Sequence, residues 1–276
     1  MTLLFATILF ILGTAIGSFL SVVIHRLKKK KEKIMIARSI CPSCKKKLKF
    51  YHLIPVFSWI FLRGKCAFCG KRISFHYLLL EVCTGTLFLA LFFKFNFVET
   101  INSTVIPSML NYIINWQTVI LFSFYALIST FFILIFFYDL KHQEIPDRLS
   151  IPAIAIAIAG GIAFKTISPL SMLIGGGAIG GFFLLQFVLS KGTWVGGGDI
   201  RLGALIGILL GWRLGLVALG SAYILGALVS IPLLIQKKVN RKSQIPFGPF
   251  LVTGALLALF FGEQILSYYQ MSLLFY

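Results

Sequence analysis

Chemistry in this chain is confined to a few places, because its 276 residues include only eight acidic ones. One of these, Asp199, closes the run Trp194-Val195-Gly196-Gly197-Gly198-Asp199 between two long apolar stretches. A charged group at membrane depth costs at least ~2.5–3.5 kcal/mol, so it is ordinarily paired, solvated or used. A second acid, Asp139 in Phe137-Tyr138-Asp139-Leu140-Lys141, also stands where an apolar span meets a polar loop. Two carboxylates held close share a proton, since the first charge opposes the second ionisation. The ionised member can take a proton from a water, and the protonated member can donate to a scissile carbonyl oxygen. The central expectation is therefore an aspartyl dyad of Asp139 and Asp199. The glycines before Asp199, Gly198 among them, would let backbone and substrate approach closely. The competing reading makes each Asp an interfacial residue or helix cap, paired with Arg201 or Lys141.

A second cluster is Cys41-Pro42-Ser43-Cys44 and Cys66-Ala67-Phe68-Cys69, separated by 21 residues. Paired CxxC knuckles can give four thiolates to a tetrahedral zinc, whose closed coordination makes it structural. Both knuckles lie in a basic stretch expected in the cytosol, where thiols stay reduced and a disulfide framework is disfavoured. The alternative is four buried or redox-active thiols. Cys83 has no CxxC partner and reads as a packed thiol. His52 and His76 could act as ligands, but four cysteines leave no vacancy; His25 and His142 read as interfacial and loop histidines.

The elements that must position these groups are membrane helices. Hydrophobic residues make up 58% of the chain, charged residues 12%, and the mean hydropathy is +0.94, which indicates a polytopic membrane protein. The apolar segments run from about Thr2 to Val23, Tyr77 to Phe93, Thr118 to Tyr138, Ile151 to Phe164, Leu170 to Leu189, Ile200 to Leu210, Leu214 to Ile235 and Phe247 to Leu266. The division at Gly211-Trp212-Arg213-Leu214-Gly215 is required because the stretch is too long for one span. The sixth segment is short, so it either begins deeper, near Gly192, or is partly re-entrant. An outer loop with Asn102, Ser103, Pro107 and Asn111 is expected to carry a short interfacial helix. Met1 to Ile24 lacks a basic start and a small-residue cleavage site, and so does not read as a cleavable signal.

The net charge of +18 would suit nucleic acid, but 15 of the 26 Lys and Arg fall between His25 and Tyr77, directly after the first span. Such a block suits an anionic cytoplasmic leaflet, and no nucleic-acid motif accompanies it. With both termini outside, the inner loops hold 23 of the 26 cations, leaving only Lys94, Lys165 and Arg213 elsewhere. That distribution satisfies the positive-inside rule. The domain division expected is a first transmembrane helix over residues 1–24, a basic four-cysteine cytosolic domain over 25–77 and a transmembrane domain over 78–276 that carries the aspartyl dyad.

Gly196-Gly197-Gly198-Asp199 fits the GxGD signature of intramembrane aspartyl proteases. Tyr138-Asp139-Leu140, with Ile145-Pro146-Asp147-Arg148-Leu149, resembles the other catalytic block of the type IV prepilin peptidases. Gly17-Ser18-Phe19-Leu20-Ser21, Ile54-Pro55-Val56-Phe57-Ser58-Trp59, Leu62-Arg63-Gly64-Lys65-Cys66, Ile73-Ser74, Glu81 and Pro246-Phe247-Gly248-Pro249-Phe250 are similar to further family blocks, so the resemblance covers essentially the whole chain. It implies an all-α enzyme of about eight transmembrane helices with Asp139 and Asp199 catalytic. Such an enzyme removes the basic leader of type IV pilin-like precursors at the cytoplasmic face of the bacterial plasma membrane, cutting after a glycine. The resemblance also favours zinc at the four cysteines. Family members that retain them often methylate the new amino terminus with S-adenosylmethionine.

Other motifs have plainer readings. Gly175-Gly176-Gly177-Ala178-Ile179-Gly180 matches GxGxxG but lies inside an apolar span without a preceding strand, so helix packing is expected rather than dinucleotide binding. Gly203, Gly207, Gly211 and Gly215, if helical throughout, give one smooth contact face. Glu81, Glu144 and Asp147 are the acids expected near the inner face. A basic leader would seek them, whereas the lysine block is expected to face anionic lipid. Two other classes compete with a peptidase. One is a transporter or channel whose paired Asp residues bind cations; the other is an assembly factor without activity.

Overall fold

The computed structural model describes residues 2–27, 41, 43–101, 111–236 and 245–274. Helices α1 (Thr2–Leu27), α3 (Phe75–Phe95), α4 (Trp116–His142), α5 (Asp147–Ala163), α6 (Pro169–Leu189), α7 (Gly197–Ile235) and α8 (Gly248–Leu274) form where the long apolar runs expect them, and a short α2 (Phe57–Phe61), which no apolar run announced, forms between α1 and α3. Six of them (α1, α3, α4, α6, α7 and α8) are long and apolar enough to cross a membrane. The 39-residue α7 is broken at Gly211, whose φ of 73° and ψ of 178° lie outside the helical region. With α5, at 17 residues, and the two halves of α7 counted separately, the described residues carry eight membrane-scale segments. The architecture is all-α and polytopic, with a small four-cysteine region between α1 and α3.

The short interfacial helix expected in the loop after α3 falls on residues 102–110, outside the described residues; the ends of that loop pair as antiparallel strands, β1 (Val98–Ile101) on β2 (Asn111–Ile114). β-branched and aromatic residues such as Val98, Ile101, Tyr112 and Ile113 favour this extended form. Asn102, Ser103 and Pro107 lie outside the described residues. So do Lys28–Lys31 of the basic block and the cations of the last inner loop, Lys237, Lys238, Arg241 and Lys242.

Packing divides the chain into two units, Met1–Thr130 and Phe131–Tyr276, with the boundary inside α4. In the first unit, α1 and α3 meet through small residues. A Cβ on Gly13 would stand 2.9 Å from Gly85 Cα, and one on Gly17 would stand 2.8 Å from Glu81 Cα. Phe88, Phe92, Phe97 and Phe122 form an edge-to-face aromatic core beside this contact. In the second unit, α7 is the central element, packed against α5, α6 and α8.

The glycine motifs belong to that packing. Gly175 lies against the Gly207 carbonyl, Gly176 against Ile208, and Gly180 against Ala204, so GxGxxG is a helix contact. Gly203, Gly207, Gly211 and Gly215 all abut α6 or the turn before it, meeting Phe183, Gly175, Ser171 and Ile179. Their common face survives, although the break at Gly211 means that it is not one continuous helix.

Candidate active site

Asp139 sits in the last turn of α4, one turn before Gln143, whose left-handed φ of 55° ends the helix. It is only 3% exposed. A carboxylate there faces the negative end of its own helix dipole and needs a donor. The donor is the first residue of α8: the Gly248 amide donates to Asp139 Oδ2 at 3.0 Å. This N–H belongs to the first turn of a helix, where backbone donors have no intrahelical partner. A Cβ on Gly248 would fall 3.2 Å from the Asp139 carboxyl carbon and clash at 2.5 Å with its Oδ2.

Asp199 stands three residues into the cap of α7. Its Oδ2 accepts from the Gly196 amide at 3.1 Å, while its own amide donates to the Gly196 carbonyl at 3.1 Å. This is the acidic half of a capping box, at the helix end that favours negative charge. The cap reading of Asp199 is thus correct as local geometry and compatible with chemistry. Both carboxylates therefore accept a glycine amide at a helix start, and Asp199 lies within electrostatic reach of Asp139.

Ile145 links the two grips. It lies 2.6 Å from where a Gly198 Cβ would be, and its Cδ1 lies 3.2 Å from the same point on Gly248. Pro146 keeps Ile145 out of the helical region and opens α5 as its N-cap. Arg201, one turn below Gly198, spans this loop. It pairs with Asp147, donates from Nε to Ser150 Oγ at 3.2 Å and from Nη2 to the Ile145 carbonyl at 3.4 Å. The cation near Asp199 is therefore committed to Asp147 and to the loop.

The expected substrate contacts have different settings. The Tyr138 hydroxyl donates to Glu144 Oε1 at 3.0 Å; this partner is neutral, so the carboxylate's charge remains. Asp147 is 62% exposed but paired. Glu81 is buried in the first unit, where the Val56 amide donates to its Oε2 at 2.8 Å. Ile145, Gly248 and the Arg201 clamp escaped chemical reading of the sequence. The signals that could have pointed to them are a glycine before Pro249 and an isoleucine before Pro146.

The four cysteine sulfurs, Cys41, Cys44, Cys66 and Cys69, all lie within 4.8 Å of one another, and those of Cys41 and Cys69 are 4.0 Å apart. The two knuckles repeat one design. Cys41 and Cys66 each donate their amide to the carbonyl five residues on, at Lys46 and Lys71. Each also accepts from the amide four residues on, at Lys45 and Gly70. Those two residues have matching left-handed φ values of 54° and 68°. A metal at Zn–S distances of about 2.3 Å would bring tetrahedral sulfurs to about 3.8 Å apart, close to this spacing. The Cys44 amide, opposed by burial, brings the Cys41 thiol down to about 6. At Cys69 the Lys71 amide acts the same way but is outweighed by burial and the neighbouring thiols, which push it up to about 11.

Comparison with known proteins places this geometry in context. Residues 11–95 match the Bacterial Peptidase A24 N-terminal domain, and residues 126–231 match the Type IV leader peptidase family. The chain is 32% identical to the prepilin leader peptidase/N-methyltransferase of Bacillus subtilis, over 95% of this chain and 97% of that one. It is 29% identical to the protein of that name from Aeromonas hydrophila, covering 96% and 94%, and 30% identical to the one from Legionella pneumophila, covering 92% and 91%. No solved structure matches. The chain therefore belongs to the type IV leader peptidase family.

Proposed function

We propose that this protein is an aspartic endopeptidase that removes the basic leader of type IV pilin-like precursors at the cytoplasmic face of the bacterial membrane, cutting after a glycine. The observation that carries this reading is the pair Asp139 and Asp199, each fixed by a glycine amide, with Ile145 against both Gly198 and Gly248 beside them. The amides hold Oδ2 of each carboxylate, which sets the plane in which Oδ1 meets water or substrate. The ionised aspartate takes a proton from water as that water attacks the scissile carbonyl carbon. The protonated partner donates to the carbonyl oxygen. Collapse of the tetrahedral adduct returns a proton to the leaving amine and resets the pair.

The cytosolic placement rests on the distribution of Lys and Arg. Residues 1–24, 25–77 and 78–276 then serve as a first span, a cytosolic four-cysteine domain and the membrane peptidase domain. Gly198 presents the backbone beside the site. Among the acids, Glu144 is the best placed to meet a basic leader, because its partner is neutral whereas Asp147 is neutralised by Arg201; Glu81 is engaged by Val56. Neutralising Glu144 should weaken cleavage of lysine-rich leaders more than of leaders with few lysines, as measured by kcat/KM for a matched substrate pair. Equal losses would remove Glu144 from leader recognition.

Zinc fits the four sulfurs by their spacing and by the doubled knuckle, and would act there as a structural tie. We further assign N-methylation of the new amino terminus, in keeping with the names of the relatives. S-adenosylmethionine would supply the methyl group. The cavity of about 320 Å³ beside Tyr51, His52 and Phe61 does not fit that donor. Its apolar lining gives too few partners to a ribose and an amino-acid head group.

The test is reconstituted protein given a pilin precursor, with Asp139→Asn and Asp199→Asn in parallel. Cleavage that either substitution abolishes supports the reading, and mass measurement of the product terminus reports the methyl group. An intact precursor with the unaltered protein would instead favour the transporter reading.

A further inference from the structure

The four-cysteine region is attached to the membrane helices at an unexpected depth. Glu81 lies six residues into α3, about 9 Å along it, and opposite Gly17, which is ten residues, or about 15 Å, from the end of α1. Glu81 is thus inside both helix ends. Yet its carboxylate holds the Val56 amide at 2.8 Å, and Val56 adopts a φ of 62°, an outlier for a β-branched residue. The loop at Val56 is drawn down beside α3 instead of standing off in water.

The residues around this latch are sorted by face. Trp59 turns inward, its ring 2.8 Å from where a Cβ on Gly64 would stand and 5.9 Å from the Phe75 ring. Phe50 and Phe61 are each 81% exposed and Phe57 59%, with Ile54 and Ile60 also exposed. A contiguous apolar patch of this kind marks an interaction site, and aromatic residues at this level are characteristic of membrane–water interfaces. The charge around it is of one sign. No acidic residue occurs from Ile34 through Leu80, while Lys45, Lys46, Lys47, Lys49, Arg63 and Lys65 surround the patch in sequence.

We propose that Phe50–Leu62 is an interfacial wedge, pinned by the Glu81–Val56 latch, that seats its exposed aromatic side chains among anionic phospholipids. Phe57, Ile60 and Phe61 enter the acyl boundary, and the flanking lysines meet headgroup phosphates. The cavity bordered by Ile54, Phe57 and Phe61 receives an acyl segment. This surface is independent of the peptidase reading, because it uses neither Asp139 nor Asp199.

The full chain is placed in nanodiscs of phosphatidylcholine alone or mixed with phosphatidylglycerol, with benzoylphenylalanine in place of Phe57 or Phe61. Irradiation followed by mass spectrometry should give lipid adducts at both positions. The adduct yield should be about five-fold higher with phosphatidylglycerol, as one basic side chain at an anionic surface provides. Glu81→Gln, assayed in the same way, should lower the adduct yield several-fold by loosening the latch. Adducts formed only with other parts of the chain would overturn the wedge. Equal yields in the two lipid compositions would overturn the choice of anionic partner, and an unchanged yield for Glu81→Gln would overturn the latch.

Discussion

Gly196, Gly197 and Gly198 are chemically identical but sit in three different environments. A Cβ on Gly197 would meet nothing within 4 Å, whereas one on Gly198 would meet Ile145 Cβ at 2.6 Å. Gly197→Ala should therefore retain near-normal cleavage. Gly198→Ala should lose about a hundredfold in kcat, the penalty of misplacing reacting groups by about an ångström. Gly248→Ala should lose at least as much, since its Cβ would occupy the Asp139 carboxylate. Rates measured on the three purified variants, with thermal unfolding as a control for stability, check this order. The two aspartates were legible in the sequence because charge is rare and costly in an apolar chain. Ile145 was not, since nothing about an isoleucine announces that two glycines close upon it.

At the scale of elements, the site is made where α4 ends and α5, α7 and α8 begin. Helix starts leave amides without partners, and these are the donors the carboxylates use. Arg201 ties the beginnings of α5 and α7 together through Asp147, Ser150 and Ile145. Arg201→Met should lower kcat by about tenfold to a hundredfold with little change in KM, by releasing Ile145 from Gly198. Asp147→Asn should act in the same direction, and equally on lysine-rich and lysine-poor leaders; a loss confined to lysine-rich leaders would mean that Asp147 reads the substrate instead. The spans were readable from apolar length and the α7 division from its glycines. The strand pair after α3 was not, because four-residue strands carry too little periodicity to stand out beside a polar loop.

At the scale of the whole molecule, composition and the placement of cations decided the class, and the family comparison agrees with it. The four-cysteine region differs from the apolar helices in that its four sulfurs could hold a metal ion. Structural zinc sites are worth about 10–16 kcal/mol to the peptides that bind them. Purified protein should therefore contain about one zinc per chain, measurable by elemental analysis. Chelation or Cys44→Ser should expose residues 41–72 to proteolysis while leaving the membrane helices folded. Retention of protease resistance after complete metal removal would remove the metal from this role.

The grips on Asp139 and Asp199 have a practical consequence for genetics. They are made by main-chain amides, which only a codon for proline can delete. A saturation library would show Gly196 as permissive to every residue but proline, since a Cβ there would touch Asp199 Oδ2 at an ordinary 3.5 Å and the Gly198 amide nitrogen at 4.0 Å. The residue would pass as a spacer while its backbone orients the carboxylate. Replacing that one amide by an ester, through semisynthesis or an α-hydroxy acid, would remove the donor without the ring that proline adds, and so isolate its contribution.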